Sequence, residues 1–150
     1  MSKLSKKGKV YAVAASIALV AASGGVAYAY WSTTGSGSGS AANSAGGGTV
    51  TLHATFNAGL APGNSTAVAY TADNSSNTST VVGALSATVS TSDPNCLASW
   101  FTVTATTSNS TAAPNSVGTS VGSGTLTFAN SAVNQDACKS ATVTVTVSSL

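Results

Sequence analysis

At 150 residues the chain has room for one domain with one core, which excludes a two-domain enzyme, and its charged fraction of 5% is far below that of ordinary soluble proteins. It has no Glu and no Arg, and four of its five lysines stand at positions 3, 6, 7 and 9, so beyond residue 29 Lys139 alone faces Asp73, Asp93 and Asp136. Phosphate binding needs clustered Lys or Arg to displace condensed counterions, so this distribution argues against nucleic acid as a partner.

The first element is an export signal. Lys3, Lys6, Lys7 and Lys9 form a positive n-region, residues 10–22 an apolar h-region, and Ala27-Tyr28-Ala29 places small residues at the two positions a signal peptidase reads. Cleavage after Ala29 leaves Tyr30 as the new N-terminus, and Ser23-Gly24-Gly25 interrupts the signal helix where a c-region begins, which favours cleavage. The rival is a retained anchor: the charge-free run 10–30 is, at about 1.5 Å per helical residue, long enough to span a ~30 Å hydrocarbon core. On either reading the rest of the chain is delivered outside the cytoplasm, and under cleavage it meets the membrane only transiently.

Residues 30–48 open the processed chain. Tyr30, Trp31, Ser32, Thr33 and Thr34 are good strand formers. They read either as a frayed terminus or as a donor strand seeking a sheet edge, two adjacent aromatics being a poor choice for a free end in water. Behind them the run 35–48, GSGSGSAANSAGGG, contains nothing able to bury apolar surface and is expected to be a flexible linker with a root-mean-square span of roughly 20 Å.

Residues 49–150 are expected to form the folded domain. The hydrophobic fraction of 43% argues against disorder, which requires low hydrophobicity together with high net charge. Residues 49–56 alternate strictly, with Val50, Leu52, Ala54 and Phe56 on one side and threonines plus His53 on the other. Further runs follow at 66–71, with Val68 and Tyr70 inward, and at 81–90, with Val81, Gly83, Leu85, Ala87 and Val89 on one face. Phe101, Val103 and Ala105 mark another from about Trp100, Leu126 and Phe128 another at 125–129, and Val143, Val145 and Val147 the clearest at 141–147. Residues 73–79 read as a polar turn, and 94–99 and 131–139 are each long enough for a single helical turn. Short strands without crossover helices predict an all-β fold, a small antiparallel β-sandwich of jelly-roll type.

Cys96 and Cys138 are the only cysteines, and in an exported chain a disulfide between them is expected. It is worth about 4 kcal/mol in the chain-entropy model. No catalytic or metal-binding set emerges, so the reading is a non-enzyme without a cofactor. Zinc peptidase chemistry wants two His four apart with a Glu between, and the chain has one His and no Glu. Gly-x-Ser-x-Gly occurs only inside the linker, without the strand-to-helix turn that orients a nucleophile. His53 reads as decoration on a wet face, and Asp73, Asp93 and Asp136 as turn formers in separate loops. The sequons at Asn64, Asn74, Asn77 and Asn109 match by chance in so Ser- and Asn-rich a chain and mark exposed loops.

A lysine-rich signal ending in Ala27-Tyr28-Ala29-Tyr30-Trp31 before a small β domain resembles the secreted proteins with a SipW-type signal peptide, the family of the TasA biofilm-fibre subunits and the camelysins. Val68-Ala69-Tyr70-Thr71 with the Asn-rich turn 74–79 looks like that family's strand and turn. The ending Asn134-Gln135-Asp136-Ala137-Cys138-Lys139 looks like that of uncharacterised actinobacterial members. The resemblance implies a jelly roll, a cell-surface or extracellular-matrix location and, in fibre-forming members, polymerisation by an N-terminal strand that completes the next subunit's sheet. The Gly/Ser run and the cysteine pair depart from the fibre subunits. The expectation is therefore a self-associating structural protein. The alternatives are a cell-wall or glycan-binding module using Trp100 and a camelysin-like peptidase, for which no zinc motif is present.

Overall fold

The structure, a computed structural model, describes residues 35–41, 49–107 and 109–149. The expected signal segment 1–29, with the expected cleavage residues Ala27 and Ala29, and the candidate donor-strand residues Tyr30, Trp31, Ser32, Thr33 and Thr34 lie outside the described residues.

The described chain is almost wholly β. In order, the strands are β1 (Ser36–Ala41), β2 (Val50–Phe56), β3 (Ser65–Asn74), β4 (Thr80–Val81), β5 (Leu85–Thr91), β6 (Phe101–Val103), β7 (Thr106–Thr107), β8 (Thr111–Ala112), β9 (Ser116–Phe128) and β10 (Val143–Ser149). Short 3-10 turns at Ala98–Trp100 and Asp136–Lys139 are the only helical pieces among the described residues. The largest sheet runs β1-β2-β3-β9-β6 with β7 also on β9, β10 pairs with β5, and β4 with β8. Every strand pair is antiparallel.

Period-2 patterning decides which faces meet. In β10 Val143, Val145 and Val147 are buried while Thr146 and Ser148 are exposed, and in β2 Val50, Leu52 and Ala54 are buried with Thr51 and Thr55 outside. These inward faces enclose one core that also holds Val68, Tyr70, Val121, Leu126 and Phe128. Each large apolar side chain there contributes roughly 1.5–3 kcal/mol by leaving water. Phe101 and Phe128 stack with ring centroids 4.4 Å apart. Tyr70 is fully buried as a residue, and its hydroxyl donates to the Thr104 carbonyl at 2.7 Å, so the polar tip is satisfied while burial raises its pKa.

The structure corrects the sequence reading in several places. The expected flexible linker is partly a strand: residues 36–41 form β1, paired residue for residue with β2 from Ser36↔Thr55 to Ala41↔Val50. The run 81–90 is not one strand. Val81 is exposed and Val82 buried, so the alternation changes phase at residues 82–84, because β4 belongs to a small sheet with β8 and β5 to the sheet with β10. The strand read at 125–129 is the end of the 13-residue β9, whose Gly- and Ser-rich first half gives little apolar signal. The turn read at 73–79 starts two residues later, at 75, since β3 continues to Asn74.

Candidate functional site

The β1 end of the largest sheet is the feature with most to explain. β1 hydrogen-bonds β2 on one side and runs beside β10, where Gly35 makes an isolated parallel bridge with Val143. It thus lies where the β2 and β10 sheets meet. Composition alone disfavours such a strand, since each Gly costs roughly 0.5–1 kcal/mol relative to Ala in ordered backbone. Close packing supplies the reason for it. A Cβ on Gly35 would overlap the Phe56 ring, and one on Gly37 would overlap the Val145 carbonyl oxygen. Phe56 is itself packed against the core, and so covers the backbone that Gly35 leaves bare.

His53, one strand in from this edge, pairs across β2–β3 with Thr71 and across β1–β2 with Ser38. Its Nε2 lies 3.0 Å from Oδ2 of Asp73, and both side chains are about a third exposed. The other Asp73 oxygen accepts the Gly118 N–H at 2.7 Å, where β9 departs from regular pairing and Gly118 adopts φ 69°. The Gly118 N–H is the main reason the Asp73 carboxyl sits below its ordinary pKa; partial desolvation opposes it and His53 adds to it. The pair therefore staples β2, β3 and β9 on their outer face. Sequence reading placed His53 on a wet face and Asp73 in a turn, and the structure brings the two together. Their separation of 20 residues gives no motif, and only the β2–β3 register shows it.

The remaining sequence-level candidates are dispersed. Cys96 and Cys138 are disulfide-bonded with Cα atoms 4.8 Å apart, both fully buried. They sit just past the Thr91↔Val143 end of the β5–β10 ladder. Asp136 pairs with Lys139 within its 3-10 turn, and this lowers its pKa. Asp93 caps its own turn by accepting the Asn95 N–H. Trp100, the residue named for glycan binding, is partly buried against the core. Among the described residues no group of three or more His, Cys, Asp or Glu could hold a metal ion. A shallow depression of about 450 Å³ lined by residues of β2, β3 and β9, among them Thr55, Ala67, Ala69 and Ser123, carries no titratable group.

Asn74 is another residue that sequence reading placed wrongly. Its sequon predicts an exposed loop, yet the side chain is fully buried. Its Nδ2 donates to the carbonyls of Thr78, Ala112 and Ala113, and its Oδ1 accepts the Ser76 N–H. The position, an Asn closing a strand before a Ser/Thr-rich turn, is the available signal for an Asx turn, though not for the ties to Ala112 and Ala113.

No family model, curated protein or solved structure matches this chain.

Proposed function

We propose that this chain is an exported structural protein of the cell surface or extracellular matrix. Its β-sandwich subunits, jelly-roll-like in the manner of the TasA and camelysin proteins it resembles, join by addition of an N-terminal strand. The observation that carries the reading is β1. It directly follows the export-type segment and Tyr30–Thr34, ends the largest sheet in a seat between β2 and β10, and consists of Gly, Ser and Ala alone. Such a strand is held by backbone hydrogen bonds and fit rather than by apolar anchors, which is the bonding pattern of strand addition. A strand so held is exchangeable between copies at little cost, because leaving one edge for an equivalent one restores the same bonds. The disulfide fits an oxidising compartment outside the cytoplasm.

Electron microscopy and sedimentation of the exported protein test the proposal. The full processed chain is expected to form filaments, and a variant lacking residues 30–41 to remain a folded monomer. Filaments that survive the deletion unchanged, or an intact protein that stays monomeric at every concentration, would sink it.

A further inference from the structure

Resting on the strand-addition reading, we propose that the seat between β2 and β10 is selective for glycine. It accepts a strand only if Gly occupies the two alternate positions held here by Gly35 and Gly37, so that the incoming strand of a second copy is recognised by what it lacks.

Neither glycine is there for backbone freedom, since the positive-φ glycines among the described residues are Gly59, Gly63 and Gly118. They are there for space, and the two obstacles differ in kind. At Gly37 the obstacle is main chain, the Val145 carbonyl. Val145 is fully buried and paired with Val89 in the middle of the β10–β5 ladder, so it cannot withdraw without breaking that ladder. At Gly35 the obstacle is the Phe56 ring, a side chain that mutation can remove without touching the backbone. The seat thus has one fixed gate and one removable gate. Their spacing of two residues matches the β period, so a strand shifted by one residue presents Ser36 and Ser38 to them and is refused. A shift of two presents Gly37 and Gly39, which again offers no Cβ. The run Gly35-Ser36-Gly37-Ser38-Gly39 can therefore re-seat two residues along, which gives an incoming strand a stepwise way to displace a resident one. A generic extended peptide has no such pass.

The test is a size-swap experiment on the full chain. Amide hydrogen exchange of β1 and of the facing β2 residues reports seating, and exchange of β10 reports whether the domain is folded. Gly37→Ala is expected to lower protection of β1 by on the order of tenfold or more while β10 keeps its own, and Ser38→Ala to leave both unchanged. Gly35→Ala is expected to lose protection likewise and to regain it in the Gly35→Ala/Phe56→Ala double variant. Between copies, Gly35→Ala chains should enter filaments only when mixed with Phe56→Ala chains. Wild-type protection of β1 in Gly37→Ala, or failure of Phe56→Ala to restore Gly35→Ala, would overturn the proposal, even if Gly37→Ala failed to fold. Glycine-dependent protection in a protein that never forms filaments would uphold the selective seat and remove strand addition as its use. Filaments of normal yield from Gly37→Ala would do the reverse.

Discussion

A buried primary amide offers two donor hydrogens and an acceptor in one small plane, and at Asn74 all of them are used. The side chain ties the end of β3 to Thr78 in the following turn and to the end of β8. Replacing it by Ala removes this partner from the Thr78 and Ala112 carbonyls and the Ser76 N–H, while the Ala113 carbonyl keeps the Ser116 N–H and hydroxyl. Asn74→Ala is expected to lower unfolding free energy by about 3 kcal/mol, read from the urea midpoint, and Asn74→Asp by more, because a carboxylate would face carbonyl oxygens. The Asp73 carboxyl gives a signature of a different kind. Its pKa in the folded chain lies below the ordinary value of about 3.9, so the stability it contributes is complete above that value and is lost as pH falls through the lower folded value. Thermal melts of Asp73→Asn should therefore fall less steeply with acid than wild type below about pH 4. His53→Ala should shift the profile less, because the Gly118 N–H is the larger cause.

Among the strands, the balance between apolar content and glycine decides both stability and how readable each one is. β2 and β10 announce themselves because their inward residues are Val, Leu and Ala and their outward ones mostly Thr, so period 2 is unbroken. β9 carries the same alternation in its last residues, but Gly118, Gly122 and Gly124 erase it upstream, and only pairing with β3 shows the full length. β1 has no hydrophobic signal at all. Its strandness comes from what β2 and β10 leave room for, a tertiary fact that no local window contains. The disulfide was legible from the cysteine count and an expected export context, whereas the His53–Asp73 staple required the register of two strands. The end of β9 is also where the core is most sensitive. Phe128 is fully buried, stacks on Phe101 and pairs with it across β6–β9, so Phe128→Ala is expected to cost about 4 kcal/mol in chemical denaturation.

For the molecule as a whole, near-absence of charge sets how it responds to solvent. The His53–Asp73 hydrogen bond and the Lys139–Asp136 ion pair are partly exposed, and such contacts contribute little. Raising sodium chloride from low to physiological levels should change unfolding free energy by less than about 1 kcal/mol. Sodium sulfate, which strengthens apolar burial by exclusion from the surface, should raise the melting midpoint clearly. A melting curve that tracked ionic strength instead would point to charge interactions beyond these two pairs.

The Cys96–Cys138 bond also has a mechanical consequence. Chain between the two cysteines, which includes β6, β7, β8 and β9, lies inside a covalent loop, while β1 and β10 lie outside it. When a subunit is stretched between β1 and β10, tension passes through the sulfur bridge and bypasses everything the loop contains. The looped part can lose its pairing yet adds no length to the pulled strand. With a sequence separation of 42 residues, reduction should release about 140 Å of extra extension in a single-molecule pulling trace. On the strand-addition proposal, a filament of such subunits would extend further after exposure to thiols than while oxidised.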